Sequence, residues 1–486
     1  MVKGICWRVC LVVGAAVSIA CMSDMAAADD GRAFVRVSAR DPRYFELSDG
    51  SAYIPIGLNM IHPQWNANET DGLAQMNTWI KNLSENHGNF VRVWLSHPYW
   101  DVEHSKSGQY DQMKAERIDA LLAMARRYNV RLKLTLEHFR NLEPKRGFGK
   151  PIHHISQGGL AESVTDFFTG SRSRDQFKRK LDWYAGRYGS DPVIFAWELW
   201  NEINCVAGQG WDDWTEQMLI ELHRRFPKNL ATQSLGSFDN DRIRQPYRLV
   251  CSMPGNDISQ VHRYLDLGAS LEVCRGPVDV LAAEAVRELR AFGLRKPILL
   301  AEAGAVEPRH SGPFKLYEKD QAGIILHDVL FAPFFSGAAG PGQIWHWDRY
   351  VDRLNLWHHY ARFAEAVKDV DPPAEDFEPT QLQHPTLRLY AVKGRRTVLI
   401  WCRDSGNTWR SELQEQKTPQ MIRGATLDIS EAGWTAAKAK VRVYDPWQDK
   451  WTTAKTEAGE IALPDFRRSV VVRIEADVQR QSTDKR

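Results

Sequence analysis

Two glutamates lie four residues apart in the segment FAWELWNEIN, which covers residues 195–204. The segment is largely apolar and predicts a β-strand, so Glu198 and Glu202 should point to the same side of it. A carboxyl group in a cleft can act as a general acid, a general base or a nucleophile. Such chemistry requires a partner group, and the elements of the fold determine which group that is.

Short apolar runs alternate with amphipathic helical stretches between about residues 50 and 350. Apolar runs without polar alternation, separated by helices, are typical of a parallel sheet that is covered on its outside. Eight such runs predict a (β/α)₈ barrel. An open doubly wound sheet would alternate similarly, but the first run lacks the glycine-rich phosphate turn of that fold. The predicted strands are 52–60, 89–96, 130–139, 193–202, 230–238, 258–266, 297–305 and 342–350.

The two glutamates lie at different depths in such a barrel, where the carboxyl ends of the strands form the active site. Glu202 ends its predicted strand and precedes the turn-prone INCVAGQG, so it is the candidate for chemistry. Glu198 would lie inside the barrel, where a charge needs a partner. We therefore predict that Glu198 is a structural acid paired with a basic group of the barrel lining.

Glu302 is the predicted partner of Glu202. It directly follows the buried run ILLA, and the small residues Ala303 and Gly304 beside it would let a large ligand approach. Two carboxyl groups across a pocket, one protonated and one ionised, are what glycoside hydrolysis requires. Spacing alone is a weak signal, because other acids also end predicted strands: Glu137, Asp239, Asp266 and Asp348.

The composition is that of an ordinary globular protein. Of its 486 residues, 43% are hydrophobic and 26% are charged, and the formal net charge is +2. No basic stripe of the kind that binds nucleic acid is present in the sequence. The 18 tryptophans are compatible with a core role and with stacking on the apolar faces of sugar rings.

The N-terminus has the pattern of a secretory signal. Lys3 and Arg8 precede the apolar run LVVGAAVSIA, which is too short to span a membrane, and small residues follow at 26–28. We predict a signal peptide over residues 1–28 and hence a secreted or periplasmic protein without a membrane span. A lipid anchor at Cys21 is the alternative, which matches less well because Ser18 replaces the usual bulky aliphatic residue.

Four cysteines remain after the predicted signal, and their spacing matches no zinc motif. Export permits disulfides, so a Cys251–Cys274 bond is one hypothesis and buried free thiols are the other. The chemistry outlined above needs no metal or cofactor, and we predict none. The four cysteines are Cys205, Cys251, Cys274 and Cys402.

The character of the chain changes after about residue 375. A proline-rich acidic segment, DVDPPAEDFEPTQ, precedes several short strand patterns separated by turn residues. We predict a barrel domain over 29–375, a small β-sandwich over 376–476 and a disordered polar tail over 477–486. The sandwich could bind sugar or support the barrel.

The motifs WELWNE and AEAG resemble those of the retaining β-glycosidases of clan A, most closely glycoside hydrolase family 5 and its β-mannanase-like members. The run DFFTG…FKRKLDWYAGRYGSDPVIFAWELWNE, residues 166–202, is also similar to these enzymes. The resemblance covers roughly residues 50–350. It implies a barrel in which Glu202 is the acid/base and Glu302 the nucleophile, acting on β-linked polysaccharides or oligosaccharides. β-1,4-Mannan is the first expected substrate and β-glucan the second.

The resemblance also implies side chains that support the two glutamates. Arg92 in VRVW would hold the nucleophile ionised, and Asn201 would bond the sugar 2-hydroxyl. In the motif VHRY, Tyr264 would bond the nucleophile and His262 would line the site. Each of these could instead be an ordinary interior residue; Arg92, for example, could serve only a structural ion pair.

Further expected site residues are less specific. His138 matches a histidine near the subsite, although Glu137 or Arg140 could fill that position. In the motif IWHW, Trp345 or Trp347 would form the floor under the sugar, and we prefer Trp347. The sequence NEIN replaces the usual NEP of mannanases, which leaves the substrate on the leaving-group side open.

Two alternatives to an endo-acting hydrolase remain. The segment 139–170 could wall off one end of the cleft and make the enzyme exo-acting on short oligosaccharides. A non-catalytic carbohydrate-binding barrel is the other alternative. Such proteins usually lose one of the glutamates, whereas this sequence keeps both, together with Arg92 and Tyr264.

Overall fold

The computed structural model describes residues 32–64, 68–138, 142, 150–206, 208–429, 439–457 and 459–476. The predicted signal peptide with Cys21, the predicted tail 477–486 and Arg140 lie outside these residues. Residues 139–141 and 143–149, in the first part of the segment 139–170 that was expected to wall off the cleft, also lie outside the described residues. No helix in the described ranges is long and apolar enough to cross a membrane.

Three short antiparallel strands precede the barrel and close its amino-terminal end. They pair in the order β1-β2-β3. Phe45 contacts Phe195 edge-on with ring centres 5.1 Å apart, and Phe195 contacts Phe90 at the same separation. All three rings are buried, so this end of the barrel is filled with apolar side chains. The strands are β1 (Val35–Val37), β2 (Phe45–Leu47) and β3 (Ala52–Tyr53).

The chain then forms a (β/α)₈ barrel, as predicted. Strands β4 to β8 form one parallel sheet and β9 and β10 another. Residues 343–345 close the ring, because Trp345 N donates to Ala303 O at 2.9 Å and Asn59 N donates to Ile344 O at 3.1 Å. The strands are β4 (Gly57–Asn59), β5 (Phe90–Trp94), β6 (Arg131–Glu137), β7 (Ile194–Trp200), β8 (Leu230–Thr232), β9 (Ser259–Asp266) and β10 (Ile298–Val306).

The prediction of an eighth strand over 342–350 is wrong in extent. Only Ile344 makes a parallel bridge, to Ala303, and Trp347–Asp352 forms a π-helical turn. The apolar run GQIWHW therefore ends as a strand where its tryptophans begin. Those aromatic side chains lie at the mouth of the barrel.

Helices cover the outside of the barrel. Side-chain caps begin the first two: Asn68 accepts from Asp71 N, and Asp111 accepts from Lys114 N. The helices are α1 (Glu69–Glu85), α2 (Gln112–Arg127), α3 (Val164–Thr169), α4 (Ser171–Tyr188), α5 (Trp211–Arg225), α6 (Arg244–Ser252), α7 (Val278–Arg290), α8 (Ile324–Phe334), α9 (His358–Ala366) and α10 (Pro372–Glu375).

The C-terminal part forms two antiparallel sheets, of order β11-β12-β13-β19-β15-β16 and β14-β18-β17. Ile400 and Val472 of the larger sheet share a hydrophobic core with Leu427 and Ile461 of the smaller one. The strands are β11 (Glu378–Thr380), β12 (Leu387–Lys393), β13 (Thr397–Asp404), β14 (Thr426–Asp428), β15 (Ala439–Asp445), β16 (Lys450–Thr453), β17 (Lys455–Glu457), β18 (Glu460–Ala462) and β19 (Ser469–Ala476).

The hypothesis of a Cys251–Cys274 disulfide does not hold in this structure. Both of these residues are buried free thiols, as is Cys402, and Cys205 is an exposed free thiol. Cys251 lies in α6 and Cys274 precedes α7. The open alternative of free thiols is therefore the one observed.

The C-terminal sheets are joined to the barrel by buried polar contacts. Every residue of α8 is buried, and Asp328 on this helix accepts from Arg403 Nε at 2.8 Å. On α7, Asp279 accepts from Arg388 Nε at 2.5 Å and from the Tyr390 hydroxyl at 2.8 Å. A buried carboxylate that loses its cation is strongly destabilising. The barrel therefore depends on the C-terminal domain for its stability.

We predict that a chain ending at residue 377 aggregates on expression. Truncation would expose the apolar helix α8 and leave the carboxylates of Asp279 and Asp328 without their arginines. Sedimentation of the lysate and thermal unfolding of any soluble fraction test this. A truncated protein that stays folded and fully active on a small substrate, but weak on polymer, would instead show that the domain binds sugar.

Candidate active site

The guanidinium of Arg92 lies at the centre of the barrel mouth. This side chain projects inward from β5 and is fully buried. Its Nε donates to Glu198 Oε2 at 2.7 Å and its Nη2 to Asn201 Oδ1 at 2.7 Å. Its Nη1 donates to Glu302 Oε1, and also to Asn59 Oδ1 at 3.2 Å. One cation therefore orients two carboxylates and two amides.

Glu198 is the buried structural acid that the sequence predicts, and Arg92 is its basic partner. Its Oε2 also accepts from the Thr135 hydroxyl at 2.5 Å, and its Oε1 accepts from Gln260 Nε2 at 3.0 Å. Burial alone would raise the pKa of Glu198. The charges of Arg92 and Lys133 outweigh that effect and lower the pKa to about 2. Glu198 is therefore ionised at neutral and mildly acidic pH.

Glu302 lies within β10, inside the predicted strand 297–305 and directly after the buried run ILLA. A β-bulge between Leu300 and Glu302 shifts the register against β9 at this point. The Tyr264 hydroxyl donates to Glu302 Oε2 at 2.7 Å, so both oxygens of the carboxylate accept hydrogen bonds, one from Tyr264 and one from Arg92.

We expected the small residue Gly304 to let a ligand approach, but it is packed against protein atoms instead. Its φ is +133°, and a Cβ atom added there would lie 2.7 Å from the Tyr317 hydroxyl. That hydroxyl accepts from Ala305 N at 2.6 Å. Glycine is therefore required for close packing against Tyr317 and for a positive φ.

Glu202 lies just beyond its strand, which ends at Trp200. Its backbone is left-handed, with φ 53° and ψ 52°, and its N–H donates to Ser234 Oγ at 3.1 Å. The prediction that Glu198 and Glu202 share one strand is therefore wrong. A turn held by Ser234, rather than the alternation of a strand, directs Glu202 into the cavity.

The two candidate glutamates have different electrostatic environments. Burial and the charge of Glu302 raise the pKa of Glu202 well above its usual value. Burial also raises the pKa of Glu302, but the charge of Arg92 and the Tyr264 hydrogen bond oppose this shift. Glu202 is therefore the residue that keeps its proton longer as pH rises, and Glu302 is the one that ionises first.

His262 lies between the two glutamates. Its Nδ1 is 2.8 Å from Glu202 Oε1 and 3.3 Å from Glu302 Oε2. Burial and the charge of Arg92 lower the pKa of His262 well below its usual value. The ring is therefore neutral, and its Nδ1–H is positioned to donate to either carboxyl group. Burial raises the pKa of Tyr264 well above its usual value, so that residue also remains a donor.

The two carboxyl groups are close together. One carboxylate oxygen of Glu202, one of Glu302 and a ring nitrogen of His262 all lie within 4.8 Å of one another. Retaining glycosidases hold their carboxyl groups about 5–5.5 Å apart, and inverting ones about 6.5–9.5 Å. The side chains of Glu202, His262 and Glu302 could also ligate a cation, but both oxygens of Glu302 already accept protein hydrogen bonds. The absence of a metal requirement stays a prediction.

A cavity of about 930 Å³ opens above these groups. It contains six of the predicted site residues: Asn201, Glu202, Tyr264, Glu302, Trp345 and Trp347. Residues that the sequence did not single out complete the lining, among them His62, Gln64, Trp94, His310, His346 and Arg349.

A family model described as cellulase, glycosyl hydrolase family 5, matches residues 51–307, more than half of the chain. The chain belongs to glycoside hydrolase family 5. The resemblance proposed from WELWNE and AEAG is thereby confirmed, and this protein is a glycoside hydrolase by family. The matched range spans the barrel from β3 to the end of β10, including both glutamates.

The chain is similar to curated mannan endo-1,4-β-mannosidases, and a solved glycoside hydrolase shares its fold. Mannan endo-1,4-β-mannosidase 5 of Arabidopsis thaliana is 29% identical over 193 residues, 37% of this chain and 41% of that protein. Mannan endo-1,4-β-mannosidase 7 of the same plant is 25% identical over 337 residues, 61% and 74% respectively. The match thus spans less than half of the first relative. A solved glycoside hydrolase, 14% identical, has a TM-score of 0.59 and covers 92% of this chain and 97% of its own; this likeness concerns the fold.

The tryptophans of this family 5 protein differ in exposure. Trp345 is half-buried, whereas Trp347 is only 4% exposed and packs edge-on against Trp79 and His62. Both tryptophans line the cavity, and the preference for Trp347 as the floor stays a prediction. Trp345 presents more of its surface to the cavity.

His138 lies behind the cavity wall. Its ring stacks on Trp94 with centres 4.9 Å apart, and its Nδ1 is 2.6 Å from Ser96 Oγ. Trp94, rather than His138, lines the cavity. Trp94 follows Arg92 by two residues, so strand alternation could have identified it in this family 5 sequence.

We predict that Glu302→Gln abolishes turnover of this family 5 enzyme while preserving the fold and sugar binding, because the volume is kept and the nucleophile is lost. Glu198→Gln should instead lower the melting temperature and retain activity well above that of the Glu302 variant. Steady-state kinetics and thermal unfolding of both variants test this. Equal loss of activity at unchanged stability would place Glu198 in the reaction.

Proposed function

We propose that the protein is an exported, endo-acting β-mannanase that hydrolyses β-1,4-mannan with retention of configuration. β-Glucan is the second candidate substrate. The observation that carries the proposal is the pair Glu202 and Glu302, which have carboxylate oxygens within 4.8 Å of each other. Glu202 retains its proton, whereas Glu302 accepts hydrogen bonds from Arg92 and Tyr264. A non-catalytic barrel would have no need for this difference between its acids.

In the first step, a carboxylate oxygen of Glu302 attacks the anomeric carbon while Glu202 donates its proton to the departing glycosidic oxygen. The C–O bond breaks, the leaving sugar departs as an alcohol, and a covalent glycosyl-enzyme forms. Arg92 and Tyr264 hold the attacking carboxylate in place. Asn201 uses its Oδ1 to accept from Arg92, which leaves its amide nitrogen to donate to the sugar 2-hydroxyl.

In the second step, Glu202 removes a proton from water, which attacks the anomeric carbon and frees Glu302. The change of role follows from electrostatics. The charge of Glu302 is one cause of the raised pKa of Glu202, and that charge is absent while the sugar is bound to Glu302. The pKa of Glu202 then falls, so the carboxylate is available as a base.

An extended substrate is supported by a second concavity beside the first. It has a volume of about 700 Å³ and shares His310 with the main cavity. Asp239, which lines it, lies in the segment after β8, and β8 pairs with β7, the strand that precedes Glu202, so this concavity lies on the side of the proton donor. The leaving group departs on that side. Space on both sides of the cleaved bond favours endo action over the exo alternative, and the relatives named as mannan endo-1,4-β-mannosidases favour mannan.

Hydrolysis assays test the proposed substrate. We expect release of a mixture of oligosaccharides from β-1,4-mannan, slower attack on β-glucan polymers, and retention of configuration by NMR of the first product. Release of single mannose units only would support the exo alternative. Activity confined to α-linked sugars, or none on any β-glycoside, would contradict the proposal.

We predict that the second concavity binds the leaving group of an extended substrate. Arg242→Ala with Arg309→Ala removes two of its donors and should lower kcat/KM on mannohexaose by about tenfold or more, since a charged hydrogen bond contributes about 1.5–3 kcal/mol. An aryl β-mannoside has no sugar on that side and should be unaffected. Arg224→Ala, on the outer surface of α5, is the matched control. An equal effect on both substrates would show that the concavity does not bind the leaving group.

A further inference from the structure

A lysine lies inside the barrel beneath the site. Lys133 projects inward from β6 and is fully buried. Its Nζ donates to Gln260 Oε1 at 2.7 Å, and Gln260 Nε2 donates to Glu198 Oε1 at 3.0 Å. Glu198 in turn accepts from Arg92, which bonds Glu302. A continuous chain of hydrogen bonds therefore joins Lys133 to the proposed nucleophile.

The charges of the buried groups indicate what this series of hydrogen bonds does. A buried ammonium is costly unless it compensates a negative charge, and in the described residues no carboxylate lies within ion-pair distance of Lys133. The nearest anion along the chain is Glu198, reached through the amide of Gln260. The cations Lys133 and Arg92 together match the anions Glu198 and Glu302.

The other titratable groups that face this chain carry no charge while Glu202 is protonated. His262 and Tyr264, on β9, are neutral for the reasons given above. Glu202 lies beyond β7 and holds its proton in the resting enzyme. Without Lys133, Arg92 would be the single cation between two carboxylates.

We propose that Lys133 is a positioning residue: through Gln260 it compensates the charge of Glu198, so that the guanidinium of Arg92 remains available to stabilise ionised Glu302. This role rests on the proposed function only in naming Glu302 as the nucleophile. Lys133 touches neither substrate nor the reacting atoms, and it acts through two intervening side chains.

The electrostatics of the neighbouring groups agree with this role. The charge of Lys133 is among the causes that lower the pKa of Glu198. Burial lowers the pKa of Lys133 itself to about 7, and the charge of Glu198 opposes that shift. Below that pH the ammonium is present.

Lys133→Met tests the proposal through the pH dependence of kcat/KM on an aryl β-mannoside. Removing the positive charge should make both carboxylates harder to ionise. The acidic limb of the profile should therefore move up by about one pH unit. Lys296→Met is the matched control, because Lys296 Nζ donates only to backbone oxygens of Cys251, Met253 and Asn256. It should lower the melting temperature without moving the acidic limb.

A charge-compensating variant separates this role from simple packing. Glu198→Gln combined with Lys133→Met removes one charge of each sign, so the acidic limb should return close to its wild-type position. If Lys133→Met alone does not fold, the double variant compared with Glu198→Gln alone measures the same charge. An acidic limb that Lys133→Met leaves in place, or a double variant that behaves like Lys133→Met, would overturn the proposal.

Thermal unfolding against pH provides a readout that does not depend on activity. The lowered pKa of Glu198 contributes stability that is present above the pKa of an unfolded glutamate and is lost as pH falls through the folded value. Lys133→Met should raise that folded value, so the stability that Glu198 contributes should be smaller and its loss should be complete at a higher pH than in the wild type. An unchanged acid transition would count against Lys133 even if the wild type showed no glycosidase activity. That inactivity would by itself count only against the proposed function.

Discussion

The site depends on the hydrogen bonds that one buried guanidinium, that of Arg92, donates to several partners. Arg92 bonds Glu198, Asn201 and Glu302 at once, and burial of such a cation is tolerated because each of its three nitrogens donates a hydrogen bond and two of its partners are carboxylates. The arrangement holds Glu302, the proposed nucleophile, beside Glu202, the proposed acid/base, and favours its ionised form. A planar group that donates to several partners in different directions suits arginine and could not be supplied by lysine.

The rest of the fold supports that arrangement. Asn59 accepts from Arg92 and donates to the backbone oxygens of Ala301 and Ile344, so the seam where the barrel closes also orients the guanidinium. The C-terminal sheets cover α8, which packs on the barrel behind β10.

Sequence patterns predicted the barrel, the C-terminal strands and the two glutamates, because apolar runs and the motifs WELWNE and AEAG are local signals. They did not predict the left-handed turn at Glu202, the bulge before Glu302 or the early end of the eighth strand. Each of these depends on tertiary contacts, such as the bond from Glu202 N to Ser234 Oγ. Trp94 could have been found by strand alternation from Arg92, whereas His310 lies in a short helical turn after β10 that no spacing rule joins to the site.

The central claim is that Glu302 forms a covalent intermediate that Glu202 then helps to resolve. The most direct test is Glu202→Ala with an aryl β-mannoside whose phenol leaves without protonation, because hydrolysis of the intermediate should slow by roughly 10²–10⁴-fold. The account predicts a burst of phenol, a glycosyl adduct on Glu302 by mass spectrometry, and restored turnover with azide that yields the β-glycosyl azide. An α-azide, or neither burst nor azide product, would contradict it.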